Sequence, residues 1–162
     1  GTSKFGSFKQ WSSQNYTLLA DMILDKHKAN IIFTWGPGEN DTVKEIVESM
    51  KHNALPACET KSIKQLTELI KRATLFIGGD TGPLHIASIM GIPVVGIYGP
   101  KDPAIYGPYD GTAIVIKKDV PCSPCKKRTC GDPICMSSIL SEDVFRGVES
   151  FLLQHIASQD KP

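Results

Sequence analysis

The stretch from Thr74 to Ile89, TLFIGGDTGPLHIASI, decides the fold. It opens with Leu75-Phe76-Ile77, an apolar run of the length and composition of a buried strand. It breaks at Gly78-Gly79-Asp80-Thr81-Gly82 and restarts as a helix, with Pro83 suited to the first helical position. A strand that runs through glycines into a helix leaves several backbone N–H groups unpaired at the mouth of the turn. With the positive end of the helix dipole, those donors form a seat for an anion such as a phosphate. The other reading is a tight βα turn in which Asp80 or Thr81 only caps the helix.

Toward the N-terminus, residues 1–13 read as a polar loop carrying Lys4, Lys9 and Trp11. A helix is predicted from about Gln14 to His27, with Tyr16, Leu19, Ala20 and Ile23 on one face. Asn30 to Trp35 reads as a buried strand ended by Gly36-Pro37-Gly38. Glu39 opens a helix running to about His52, with Val43, Ile46, Val47 and Met50 on its inner face. Pro56 to Glu59 is a short strand. Ser62 and Gln65 make a capping-box pattern for a helix from Ile63 to Ala73.

Toward the C-terminus, Gly91 stops the helix after the central turn, and Ile92 to Tyr98 is another buried strand. Gly99 to Gly111 is a loop dense in Gly and Pro, and Ala113 to Ile116 a short strand. Ser141 caps a last helix with Glu142 and Asp143 in its first turn, as the dipole prefers. Val144, Val148, Phe151, Leu152 and Ile156 form its apolar face. Ser158 to Pro162 is a polar tail. Strands alternating with helices predict a parallel α/β sheet with helices on both faces.

The 162 residues suffice for one domain with a sizeable core. With 18 basic against 17 acidic residues, the net charge of +1 makes no electrostatic case for a nucleic-acid partner. No apolar run approaches the length of a membrane span, and no secretory signal opens the chain. The chain starts at Gly1 rather than Met, as a processed product or a fragment would. The G-x-G-x-x-G fingerprint and the P-loop lysine are both missing, which argues against an ordinary dehydrogenase or NTPase.

In parallel α/β sheets, ligands bind beyond the carboxyl ends of the strands. Three loops are expected there: Gly36 to Glu39, Gly78 to Gly82 and Gly99 to Pro103. The loop from Thr2 to Lys9 can reach the same edge. This convergence suggests a nucleotide or sugar-phosphate site. Lys9 is a point charge able to neutralise a diphosphate, or else a solvated surface lysine. Glu39 can accept from a ribose diol, or can serve only as a first-turn acid. Asp80 is expected to orient the turn rather than touch phosphate, while Thr81 and backbone N–H groups take the anion. His85 can donate to ligand or loop; without a visible partner, a packed histidine bonded to backbone is the favoured reading. His27, His52 and His155 fall on helix surfaces or ends.

Four of the five cysteines crowd together as Cys122-x2-Cys125-x4-Cys130-x4-Cys135. Four thiolates at short spacing can hold a structural zinc, but the spacing is not that of a zinc ribbon. Disulfides or free thiols remain open. Cys58 lies apart and is expected to be a buried hydrophobe.

Taken together, Lys9-x-Trp11, Trp35-Gly36-x-x-Glu39, Gly79-Asp80-Thr81-Gly82-Pro83-x-His85-x-Ala87 and Tyr98-Gly99-Pro100-x-Asp102-Pro103 resemble the family 9 glycosyltransferases, the heptosyltransferases of the lipopolysaccharide inner core. The cysteine segment with Cys135-Met136 and the final helix are similar to the heptosyltransferase II branch. The resemblance implies the C-terminal half of a GT-B enzyme, two Rossmann-like domains facing a cleft. Residues 1–157 would be the nucleotide-sugar donor domain and 158–162 a tail, with the N-terminal acceptor domain outside this chain. By the same resemblance Thr2 and Ser3 lie by the donor phosphates and Lys9 neutralises the diphosphate. Glu39 binds the adenosine ribose, Asp80-Thr81-Gly82 form the diphosphate turn, and His85 adjoins it. The implied chemistry is an inverting, metal-independent transfer of heptose from ADP-heptose to a core sugar, with no cofactor. Lys9 and Asp80 act electrostatically, and the acceptor's base lies in the other domain. The implied setting is the bacterial cytoplasm, at the inner face of the inner membrane. Two alternatives are another GT-B sugar-nucleotide enzyme, a UDP-sugar transferase or epimerase, and a non-catalytic binding domain of the same fold.

Overall fold

The computed structural model describes residues 7–109, 113–127 and 129–159. After a short 3-10 turn, Ser7–Lys9, the elements run α1 Ser13–Lys26, β1 Ile32–Phe33, α2 Asn40–Ser49, β2 Leu55–Pro56 and α3 Ile63–Ile70. Then come β3 Phe76–Gly79, α4 Gly82–Ile89, β4 Val94–Tyr98, α5 Pro103–Tyr106, β5 Ile114–Lys117, α6 Ile134–Ser137 and α7 Ser141–Gln159.

β4 lies between β3 and β5, and all three are parallel. Every residue of β4 is buried, which is why Val94-Val95-Gly96-Ile97-Tyr98 reads as an unbroken apolar run. Its side chains alternate between two cores. Val95 and Ile97 pack with Leu19 and Ile23 of α1, Val144, Phe145 and Val148 of α7, and Met136 of α6. Val94 and Tyr98 pack with Ile70 of α3 and Leu84 and Ala87 of α4. Helices therefore cover both faces, as the alternation of elements predicts.

The single expected sheet divides in two among the described residues. β1 and β2 pair in parallel as their own two-stranded sheet, over the registers Ile32↔Leu55 and Phe33↔Pro56. These strands are shorter than Asn30 to Trp35 and Pro56 to Glu59. Ile32 is 49% and Leu55 63% exposed, so this face buries little and the ladder closes over few residues.

Other details differ at element ends. The loop from Gly99 contains α5, because Asp102 accepts from the Ala104 N–H (3.0 Å) ahead of Pro103. Ser62 caps α3 as expected, accepting from Gln65 N–H (3.3 Å). Gln65 Oε1 reaches back to the N–H of Lys61 (2.7 Å), so the box closes one residue early. Ser141 does not cap α7: its hydroxyl donates to the Asn15 carbonyl (3.1 Å) and ties α7 to α1. Asp143, in the first turn, reaches back to accept from the N–H of Leu140, the residue ahead of the helix (3.0 Å). Cys58 is exposed rather than buried, since the chain after β2 leaves the core before α3 begins. No helix among the described residues is long and apolar enough to cross a membrane.

Candidate functional site

The turn between β3 and α4 has the form the sequence predicts. Thr81 stands at the N-cap of α4 with extended backbone, yet its side chain does not cap the helix. Its hydroxyl donates to the Gly79 carbonyl (3.3 Å), so the simple capping reading does not hold. A Cβ added to Gly82 would meet nothing within 4 Å, so the helix mouth is open. Asp80 is drawn aside by His85, whose Nε2 lies 3.2 Å from Oδ1. The histidine thus has a side-chain partner five residues back, in place of the backbone partner expected. One turn of α4 brings the two together, with Asp80 before the helix and His85 at its start.

The first loop closes by a different device. Pro37 and Gly38 occupy the middle of a turn, with Gly38 at φ +83° and Glu39 N–H donating to the Gly36 carbonyl (3.0 Å). Glu39 is the N-cap residue of α2, but its carboxylate does not cap the helix. Oε2 turns back to accept from Gly36 N–H (2.8 Å), which holds the carboxylate over the loop. Trp35 Nε1 donates to the Ala57 carbonyl (2.8 Å) and anchors this loop to the exit of β2.

Two tyrosines carry phenols shifted by burial and by the charges of these loops. Tyr16, which periodicity assigns to the apolar face of α1, meets Trp11 edge-on with ring centroids 4.9 Å apart. Burial first, then the Glu39 charge, push its hydroxyl up to about 12, against a smaller lowering influence of the Gly79 backbone. Tyr98, at the end of β4, is likewise raised by burial and then by the charge of Asp80. Its hydroxyl donates to the Tyr106 carbonyl (3.1 Å), joining the third loop to the edge that carries Asp80. Neither tyrosine stands out as a site residue in the sequence. The available signal is a phenol on a buried face, which needs a polar partner.

Lys9 ends the 3-10 turn and is half-buried, and among the described residues it forms no ion pair. Phe8 (7% exposed) and Trp11 (4%) on either side are buried, and Trp11 Nε1 donates to the Ile139 carbonyl (2.7 Å). Those anchors fix the segment that carries the lysine. Thr2 and Ser3 lie outside the described residues. His52 pairs with Asp25 (2.7 Å), and with His27 it lines a surface cavity of about 360 Å³ at the C-terminal end of α1, apart from the three loops.

The cysteine segment packs under the third loop. Ser123 donates its hydroxyl to the Gly99 carbonyl (2.8 Å) and Cys125 its N–H to the Pro100 carbonyl (2.7 Å). All five cysteines are free thiols, with Cys135 buried and Cys122 and Cys130 exposed. Burial pushes the Cys135 thiol up, and the neighbouring Cys122, Cys130 and Cys125 act in the same direction. Among the described residues no group of three or more His, Cys, Asp or Glu is arranged to hold a metal ion.

The fold and the open turn place the chain among the α/β proteins that meet a ligand at the carboxyl edge of a parallel sheet. More narrowly, it belongs to glycosyltransferase family 9, the heptosyltransferases, whose family model matches residues 1–134. It is 29% identical over 155 residues to lipooligosaccharide heptosyltransferase 2 of Campylobacter jejuni, covering 91% of this chain and 48% of that protein. A crystal structure of a family 9 glycosyl transferase from Veillonella parvula superimposes with a TM-score of 0.81 at 29% identity, over 95% of this chain and 45% of that one. The structure of E. coli ADP-heptose LPS heptosyltransferase II matches with a TM-score of 0.79 at 21% identity, over 94% and 45%. The chain spans about half the length of the relatives it matches. Its architecture is that of one half of a GT-B glycosyltransferase.

Proposed function

We propose that this chain is the donor-binding half of a glycosyltransferase that moves heptose from ADP-heptose to a sugar of the lipopolysaccharide inner core. The observation that carries the reading is the uncapped mouth of α4, open at Gly82, from which His85 draws the Asp80 carboxylate aside (3.2 Å). Here Thr81, the backbone N–H of Gly82 and the helix dipole take the diphosphate. Lys9 neutralises it, with Thr2 and Ser3 beside it. Glu39, held over its loop by Gly36, accepts from the ribose hydroxyls.

The reaction is inverting and uses neither metal nor cofactor. As the glycosidic bond to the diphosphate breaks, negative charge grows on the leaving group. Lys9 and the α4 N-terminus stabilise that charge where it develops. The base that takes the acceptor proton belongs to the N-terminal domain, which also supplies the acceptor site, while residues 1–157 form the donor domain. The enzyme works in the bacterial cytoplasm, at the inner face of the membrane where the core is assembled.

The test is calorimetric titration of this chain with ADP and with UDP, repeated on Lys9→Ala and Glu39→Ala. Saturable binding that prefers ADP and weakens in both variants supports the donor site as drawn. Preference for UDP selects another sugar-nucleotide enzyme of this fold. Binding of neither nucleotide, with or without the N-terminal domain of a relative added, sinks the donor reading and favours a binding domain without catalysis.

A further inference from the structure

We propose that Lys101 and Tyr106 form a subsite for the sugar ring of the nucleotide-sugar donor, on the third loop beside the diphosphate turn. The inference rests on the donor-site reading above and assigns ligand contacts to two side chains which that reading leaves unused.

The strand register brings the two loops together. Gly79 of β3 pairs with Ile97 of β4, so Asp80 and Tyr98 leave the sheet side by side. Tyr98 is fully buried and clusters with Leu84, in the first turn of α4. Its hydroxyl donates to the Tyr106 carbonyl (3.1 Å), which ties α5 within a phenol's length of that first turn. The loop is held from the other side too, where Ser123 and Cys125 donate to the Gly99 and Pro100 carbonyls. With the ribose at Glu39 and the diphosphate at α4, the sugar is the part of the donor left to place. The third loop is the one of the three that has no ligand yet.

Its side chains suit that part of the ligand. Lys101 Nζ lies 4.7 Å from the centroid of the Tyr106 ring, a contact that orients both groups. The ring is still 48% exposed, and Ile105 (73%) and Tyr109 (87%) add apolar surface on the same loop. Exposed apolar groups gathered beside a polar turn mark a place of contact. A pyranose offers C–H groups on its faces, which pack on the negative face of an aromatic ring, and hydroxyls around its rim. The Lys101 ammonium brings three donors and a full charge to those hydroxyls and to the phosphate next to the sugar. Among the described residues Lys101 makes no ion pair, so an anionic sugar nucleotide complements this surface in charge.

The test titrates the 162-residue chain with ADP and with ADP-heptose, unsubstituted and as Tyr106→Ala, Tyr106→Phe and Lys101→Ala. Tyr106→Ala keeps the backbone carbonyl that Tyr98 bonds, and Tyr106→Phe keeps the ring. The unsubstituted chain should bind ADP-heptose more tightly than ADP. Tyr106→Ala should weaken ADP-heptose about three- to tenfold, the scale of one aromatic contact, and ADP less than about twofold. Tyr106→Phe should bind as the unsubstituted chain does, and Lys101→Ala should weaken ADP-heptose. Nuclear Overhauser contacts should join the Tyr106 ring to the bound sugar. A Tyr106→Ala loss that is equal for both ligands, or no loss for ADP-heptose, overturns the subsite and leaves the donor reading standing. Failure of the unsubstituted chain to bind ADP overturns the donor reading, and the subsite with it. If Tyr106→Ala does not fold, absence of the Overhauser contacts in the unsubstituted chain still refutes the subsite. If the N-terminal domain of a relative shifts the Tyr106 ring resonances and ADP-heptose does not, the surface is a domain interface and the subsite is overturned.

Discussion

His85 pairs with Asp80 at 3.2 Å, and the donor-site reading gives that pair a role: it holds aside a carboxylate that would repel a diphosphate. In His85→Ala the Asp80 charge returns to the mouth of the helix. ADP affinity measured by calorimetry should fall on the order of tenfold, the scale of a charge-assisted hydrogen bond. Adding Asp80→Asn to that variant should recover part of the loss, since the repulsion goes with the charge. Asp143 governs stability instead. Burial works to raise its pKa, but the hydrogen bond from Lys118 and the N–H of Leu140, with the charges of Lys118 and Arg146, lower it overall. A carboxyl depressed in the folded state stabilises the fold above its unfolded pKa, and that contribution is lost as pH falls through the folded pKa. Asp143→Asn should cost about 1–2 kcal/mol in urea unfolding at neutral pH. The difference from the unsubstituted chain should shrink below the ordinary carboxylate range. An equal difference at every pH would mean that capping geometry, not charge, carries the effect.

β4 is the element on which both cores close, and it has no room for added atoms. A Cβ on Gly96 would lie 2.8 Å from Tyr98 Cε2 and 3.3 Å from Leu84 Cδ2, both on fully buried side chains. Gly96→Ala should therefore lower stability by about 1–3 kcal/mol, read from the urea midpoint. At Gly99, where β4 has just ended, a Cβ would run into the Met136 sulfur and approach Cys135 Sγ at 3.4 Å. Gly99→Ala should loosen the cysteine segment, seen as faster labelling of the buried Cys135 thiol. Unchanged labelling would show that α6 can give way. At this scale most of the structure was legible. The apolar runs at β3 and β4 and the helical faces of α1, α2 and α7 were all readable, because each spans enough residues to show a period. Helices α5 and α6, four residues each, are too short to show one. The weak β1–β2 pair was overread because apolar residues such as Ile32 and Leu55 mark strands without saying whether anything covers them.

At the scale of the whole molecule, the chain spans about half the length of the relatives it matches. The donor-half reading predicts that the purified chain binds ADP but transfers no heptose to a core acceptor. Turnover, followed as ADP release with an acceptor present, should appear only when an N-terminal domain is supplied. Transfer by the chain alone would overturn the division of labour. The family and the alternation of strands and helices were determined by the sequence itself. So were Glu39, Asp80 and His85 as candidates, since turn glycines, caps and motif spacing are local properties of consecutive residues. The partners those residues take were decided only in three dimensions. His85 finds Asp80 once α4 is wound, and Glu39 folds back on Gly36 once the Pro37-Gly38 turn closes. Trp11 reaches the Ile139 carbonyl only after the segment ahead of α1 packs against the chain between α6 and α7. The free state of the cysteine thiols is also a tertiary outcome, for spacing along the chain says which sulfurs are near in sequence and not how they are aimed. Hydrogen bonds between residues far apart in sequence require the chain's return path, and that path exists only when the two cores on either side of β4 have closed.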